Sequence, residues 1–205
     1  MHLTRAQTSK KIPIARKGTK YVVRAMSYYR DGIPALIAVR DILKLARTAR
    51  EVKEMIKLKL IKINGKVVKD YRESLRLFNI FEADKKYILT LLPTKRFHLE
   101  EFKGEERLCK VINKKVMPAG KIQINFHDGS NILSDDKIKV GDSVTLDNSG
   151  KIKKKIVLER GAKVFISSGK NTGKKGVVEE IKDRKAIIQM EDKKVELDKD
   201  HFIVI

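Results

Sequence analysis

Between Arg40 and Lys69 the sequence RDILKLARTAREVKEMIKLKLIKINGKVVK leaves the backbone little choice. Thr48 and Glu51 form the S/T-x-x-E capping box, so a helix is expected to begin at Thr48 and run to about residue 58. On a 3.6-residue period Ala49, Val52 and Ile56 make an apolar stripe, with Arg50, Lys53 and Lys57 aligned beside it. Ile61 and Ile63 then alternate with lysines, and Asn64-Gly65 supplies the two positive-φ residues of a type I′ hairpin turn. Such a module buries one face and aims a basic strip outward, an arrangement suited to holding phosphates.

The charge of the whole chain points the same way. Its 205 residues carry 47 Lys or Arg against 26 Asp or Glu, a net charge of +21. Self-repulsion on this scale calls for a polyanionic partner, because solubility alone needs only about 2–8 charges in a small domain. The distribution is uneven. Residues 1–30 hold eight basic and no acidic residues, 40–76 hold twelve against five, and 151–185 hold twelve against four. Residues 77–150 are nearly balanced, at twelve against eleven. Three basic blocks around a neutral spacer imply one long anion touched at several places. No apolar run approaches the ~18 residues of a membrane span and no secretory signal is visible, so nucleic acid is favoured over membrane. One cysteine, Cys109, excludes an internal disulfide framework and implies a reducing, cytoplasmic setting.

Four segments are expected, in an α+β, multidomain chain. Residues 1–32 read as a basic extended arm ordered mainly by what it binds, and 33–92 as a small α+β module. Within the module, Ile33 to Ala46 is expected as a helix with Pro34 in its first turn and Leu36, Val39 (or Ile37), Leu43 and Ala46 buried. Strand-like runs follow at 75–81 and 86–92. Residues 93–158 read as a central, barrel-like β domain. There Ile122, Ile124 and Phe126 alternate inward and Asp128-Gly129 turns the chain onto Asn131-Ile132-Leu133, with further strands expected at 138–144 and 155–158 around an Asn148-Ser149-Gly150 turn. Residues 159–205 contain a strand, a glycine-punctuated loop (Gly169, Gly173, Gly176) and another strand, with Val164, Ile166 and Val178 facing inward. Later strands are expected at 186–190 and 202–205.

Catalytic and ligand motifs fail on inspection. A Walker A loop ending at Gly173 would need glycine where Ser168 stands, and Lys175 occupies its Ser/Thr position. His2, His98, His127 and His201 are scattered, and one cysteine builds no zinc cluster. His127 reads as a hairpin residue and Asp135-Asp136 as a solvated loop. No nucleophile elbow or paired carboxylates appear, so neither enzyme activity nor a cofactor, metal or small-molecule substrate is expected.

The 40–69 module resembles the alpha-L RNA-binding motif through Arg40-Asp41, Leu43, Thr48-Ala49-Arg50, Val52, Ile56, Ile61-Lys-Ile63-Asn64-Gly65 and Val68. That motif commonly has glycine where Lys59 stands, so the helix-to-strand corner is expected to be made differently here. Gly161–Ile181 resembles the KOW motif through Gly161, Val164, Ile166, Gly169, Gly173, Gly176 and Val178, which implies an SH3-like barrel. With the arm (His2-Leu3, Arg5, Pro13-Ile14, Arg16-Lys17-Gly18-Thr19-Lys20-Tyr21) and KIQINFHDGSNIL at 121–133, nearly the whole chain is similar to the small-subunit ribosomal protein S4e family, in its archaeal form. Tyr21 stands where the family usually has tryptophan, and Ala25-Met-Ser-Tyr-Tyr29 replaces an expected Pro/Gly/His-rich stretch.

The resemblance implies a structural constituent of the small ribosomal subunit, located in the cytoplasm and contacting ribosomal RNA and neighbouring ribosomal proteins. The expected RNA contacts are Arg5, Lys10, Lys11, Arg16, Lys17, Lys20 and Arg24 in the arm. In the module they are Arg40, Arg47, Arg50, Lys53, Lys57, Lys59, Lys62, Lys66 and Lys69, and in the KOW loop Lys170, Asn171, Lys174 and Lys175. Tyr21, Tyr28 and Tyr29 suit either base stacking or packing. Two alternatives remain at this stage: a pseudouridine-synthase-type enzyme, which needs a catalytic aspartate in an Arg-Leu-Asp setting, and a transient KOW-bearing factor. Residues 77–205 contain no Arg-Leu-Asp tripeptide.

Overall fold

A computed structural model describes residues 2–134, 138–190 and 193–205. The expected Asp135-Asp136 loop lies outside the described residues. The chain is mostly strands with few helices and divides into two compact units, Met1–Glu105 and Glu106–Ile205.

In the first unit, β1 (His2–Thr4) pairs antiparallel with β2 (Tyr21–Val23). The segment expected as an extended arm therefore folds back on itself. Ile12, Val22 and Ala25 are buried, and the Phe97 amide donates to the Lys11 carbonyl. The basic composition of the segment hid these few apolar anchors. β3 (Gly32–Pro34) pairs with β6 (Ser74–Arg76) and leads into the first helix.

That helix is shorter than expected. Pro34 is its N-cap, α1 covers only Ala35–Ile37, and a π-helical turn over Ala38–Ile42 ends it before Lys44, which is left-handed at φ +58°. Ala35 to Val39 are all fully buried, so the segment is enclosed all round and Leu43 is only half-buried. Helix α2 runs Ala49–Lys57 with Val52 and Ile56 buried.

A five-stranded antiparallel sheet completes the unit, in the order β5-β4-β7-β8-β9. Its members are β4 (Lys62–Ile63), β5 (Lys66–Val67), β7 (Ile80–Glu82), β8 (Lys86–Leu91) and β9 (Phe97–Glu101). The expected run at 75–81 is split between β6 and β7, because Phe78 turns at φ +61° and Asn79 accepts the Arg76 amide. The boundary expected near residue 93 falls at 105/106, since β9 pairs with β8 around the Pro93 turn.

The second unit contains two five-stranded antiparallel sheets. The first comprises β10 (Arg107–Val116), β11 (Ile122–Phe126), β12 (Asn131–Ser134), β13 (Ser143–Leu146) and β14 (Ile152–Ile156), in the order β12-β11-β10-β13-β14. β10 pairs with β13 through its first half and with β11 through its second, switching at a bulge between Val111 and Asn113. Cys109, Val111, Ile124, Phe126, Ile138, Val144 and Leu146 fill the core. The strand expected at 138–144 begins only at Ser143. Gly141 is at φ +96°, and the buried Asp142 carboxylate accepts the amides of Lys139 and Leu158 instead of letting the chain run straight. The strand expected at 155–158 runs earlier, as β14.

The second sheet comprises β15 (Lys163–Ile166), β16 (Lys175–Ile181), β17 (Lys185–Gln189), β18 (Lys194–Asp198) and β19 (Phe202–Val204), in the order β18-β17-β16-β15-β19. Val164, Ile166, Val178, Ala186, Ile188 and Phe202 lie in its core. Gly176 is sterically required, because a Cβ there would stand 2.5 Å from Ile188 Cγ2 and 2.9 Å from the Gln189 carbonyl.

Candidate nucleic-acid interface

Helix α2 is fastened at both ends. The Thr48 hydroxyl accepts the Glu51 amide at 3.3 Å, and Glu51 returns bonds to the Thr48 hydroxyl at 2.9 Å and the Arg47 amide at 2.8 Å. Those bonds, led by the one from the Arg47 backbone, hold the Glu51 carboxyl below its ordinary pKa. At the C-terminus the Lys59 amide reaches the Ile56 carbonyl and the Leu60 amide reaches Met55, which is a Schellman motif with Lys59 left-handed at φ +58°. The corner expected to differ is thus the glycine-type corner itself, adopted by a lysine. Asn64 (φ +51°) and Gly65 (φ +76°) form the type I′ turn between β4 and β5. The buried Asn64 side chain accepts the Ile80 amide at 2.9 Å and ties the hairpin to β7.

This framework exposes Arg47, Arg50, Lys53, Lys57, Lys59, Lys62, Lys66 and Lys69. Among the described residues no ion pair engages Arg50, Lys57, Lys62 or Lys66. Arg40 differs. It is half-buried and grips Asp41 at 2.8 and 3.2 Å, so its charge is compensated locally. Arg5 differs too: its guanidinium donates to the Ala15 carbonyl, the Thr19 carbonyl and the Thr19 hydroxyl, where it fixes the arm's loop. Lys10, Arg16, Lys17 and Lys20 are exposed, while Lys11 pairs with Asp31 at 2.8 Å. In the β15–β16 loop Lys170, Lys174 and Lys175 are exposed, whereas Asn171 is buried. Gly169 and Gly173 are both left-handed there, at φ +92° and +85°.

A set of cation–aromatic stacks joins the expected residues to others the sequence reading passed over. Arg24 lies 4.2 Å from the centre of the Tyr29 ring, Arg76 3.7 Å from Tyr28, and Lys53 4.9 Å from Tyr71. Arg30 and Arg72 approach Tyr29 and Tyr71 at 5.6 Å. Arg30, Arg72 and Arg76 were not among the expected contacts. The dipeptides Tyr29-Arg30 and Tyr71-Arg72 are the signal that would have found two of them. Arg72 also forks onto Asp70, and this charge-assisted bond depresses the Asp70 pKa and raises that of Arg72.

His127 Nδ1 accepts the Lys110 amide beside the Asp128-Gly129 turn. Among the described residues no group of three or more His, Cys, Asp or Glu is arranged to hold a metal, and no helix is long and apolar enough to cross a membrane.

Three family models match successive stretches of the chain. Residues 41–77 match the S4 domain, 83–152 the Ribosomal family S4e, and 160–191 the KOW motif. The small ribosomal subunit protein eS4 of Methanocella arvoryzae is 32% identical over 88% of this chain and 81% of its own length. That of Korarchaeum cryptofilum is 34% identical over 88% and 80%. The crystal structure of the 30S ribosomal protein S4e from Thermoplasma acidophilum superposes with a TM-score of 0.73 at 26% identity, over 85% of this chain and 95% of that one. With a shared fold, and with relatives above 30% identity across most of its length, this chain belongs to the S4e family of ribosomal proteins.

Proposed function

We propose that the chain is a structural constituent of the small ribosomal subunit in the cytoplasm, without catalysis, binding ribosomal RNA beside neighbouring ribosomal proteins. The observation that carries this is the exposed basic surface of α2 and the β4–β5 hairpin, held by a cap, a Schellman corner and a type I′ turn. Rigidity matters because lysines fixed by a scaffold meet phosphates with less ordering entropy than lysines on a free tail. The KOW loop supplies a second contact through Lys170, Lys174 and Lys175, and the exposed arm lysines with Arg16 and Arg24 a third. The two sheets of the second unit read as small barrels, the second of them SH3-like. Relatives spanning most of the chain bear small-subunit names, which lends no support to an RNA-modifying enzyme or a transient factor.

Two measurements test this. A tagged chain should sediment with small subunits from cell extract and stay there through a moderate salt wash; recovery only in free fractions would sink the reading. Replacing Arg50, Lys53 and Lys57 together with alanine should weaken binding to small-subunit RNA. It should also flatten the plot of log K against log salt by about 0.7–0.9 per lost phosphate contact. An unchanged slope would move the interface elsewhere.

A further inference from the structure

Arg24, Tyr29 and Arg30 line a cleft of about 680 Å³ against residues 3–11. Its wall carries Tyr29 stacked with Arg24, the cations of Lys11 and Arg30, and the hydrogen-bonding ends of Gln7 and Asp31. That is a flat aromatic–guanidinium surface, the cation of Arg30, the Lys11–Asp31 ion pair and the polar edge of Gln7 in a space of ligand size. Beside it Tyr28 holds an unfavourable left-handed backbone at φ +48°, and the residue remains 53% exposed with the Arg76 guanidinium 3.7 Å from its ring centre. Packing alone does not explain it, since burial would return stability only if the ring were covered.

We infer that this cleft takes one extruded nucleotide of the bound RNA, resting on the proposal that RNA is the partner. The base lies against the Tyr29–Arg24 stack, and its edge meets Gln7 and the carboxylate of Asp31, which accepts from an exocyclic amine. The flanking phosphates meet Arg30 and Lys11, whose ammonium keeps donors beyond the one given to Asp31. Tyr28, with one face covered by Arg76, offers its other face to the neighbouring base, as single-strand binders do with aromatic platforms. Sequence tolerance is expected for stacking, and preference for a base bearing an exocyclic amine.

The test uses the full chain and a single-stranded hexa-adenylate carrying one 2-aminopurine, whose fluorescence falls on stacking against a side chain. Wild type should quench the probe. Tyr29→Leu should lose the quench and about tenfold to a hundredfold in affinity with an unaltered salt slope, and Tyr29→Phe should retain both. The Arg50, Lys53 and Lys57 alanine variant should keep the quench while its salt slope falls. As a measurement independent of variant folding, a hexanucleotide carrying 5-iodocytidine, whose ring bears the exocyclic amine, should crosslink to Tyr28 or Tyr29 when irradiated with the wild-type chain. Crosslinks confined to 47–69, or a Tyr29→Leu variant that quenches and binds like wild type, would overturn the nucleotide site and leave the RNA reading standing. Failure of the chain to bind small-subunit RNA at all would overturn both.

Discussion

Lys59 sits at the position after α2 where a left-handed residue closes the helix, and its side chain makes that conformation expensive, about 1–2 kcal/mol for a residue with a Cβ. Lys59→Gly should therefore stabilise the fold by about 0.5–1 kcal/mol, the difference between relieved strain and the extra freedom of an unfolded glycine. The same change should weaken RNA binding slightly and lower the salt slope by about 0.7–0.9. Thermal melts and salt titrations of one variant measure both, and a loss of stability would refute the strain argument. Lys110 poses the opposite problem. Its buried ammonium donates to the carbonyls of Lys199 and Phe202, joining the two sheets of the second unit. Burial pushes its pKa down to about 8, against the opposing pull of Asp200. An unfolded lysine titrates near 10.4, so between about pH 8 and 10.4 the unfolded chain holds a proton that the folded chain has released. This group's contribution to stability rises with pH across that window. Cys109 runs the other way. Burial raises its thiol to about 12, and stability from it is lost above the unfolded thiol's pKa. Comparing wild type with Lys110→Met cancels the thiol. The stability gap should widen in favour of wild type from pH 8 to 10, and a pH-independent gap would reject the shifted amine.

At the scale of elements, the cap of α2 carries more than local order. Thr48→Ala removes the acceptor for the Glu51 amide and the hydroxyl that Glu51 grips, and should cost about 1 kcal/mol. Because it loosens the base of the lysine face, RNA affinity should fall although no positive charge is lost, and the salt slope should hold. A steeper or shallower slope would mean that the cap acts on charge rather than on order. The cap, the Asn-Gly turn and the alternating Ile122–Phe126 strand were legible in sequence because each is written in residues a few positions apart. The short extent of the first helix was not, since Ala35 to Val39 are all buried and leave no amphipathic stripe for periodicity to read. The strand expected at 138–144 failed for another reason: Asp142 looks like a surface residue, yet its carboxylate is consumed by amides at 139 and 158. Arg5 and Arg40 show the same limit within the candidate interface. A sequence counts them as free charge, but their partners, at Ala15, Thr19 and Asp41, decide whether that charge reaches a ligand.

For the molecule as a whole, the division at 105/106 separates unequal charges. Residues 1–105 hold 25 Lys or Arg and 11 Asp or Glu, a net of +14, while 106–205 hold 22 and 15, a net of +7. Among the described residues every strand pair falls within one unit, and each unit has its own fully buried apolar side chains, Ile33, Leu36, Leu75 and Phe81 in the first and Ile124, Leu146 and Phe202 in the second. Fragments 1–105 and 106–205 should each fold and melt cooperatively. Self-repulsion grows roughly with the square of net charge, so at similar size it is about fourfold greater in the first fragment. Salt shortens the reach of that repulsion, from about 10 Å at 0.1 M to about 3 Å at 1 M. Raising KCl across this range should lift the melting temperature of 1–105 by more than that of 106–205, since general salt effects on burial act on both. The same salt should lower RNA affinity, so stability and binding move in opposite directions. That opposition distinguishes a charge surface built for a polyanion from one that serves solubility. Circular dichroism melts of the two fragments decide it, and equal shifts would remove self-repulsion as a cost that the more basic fragment bears.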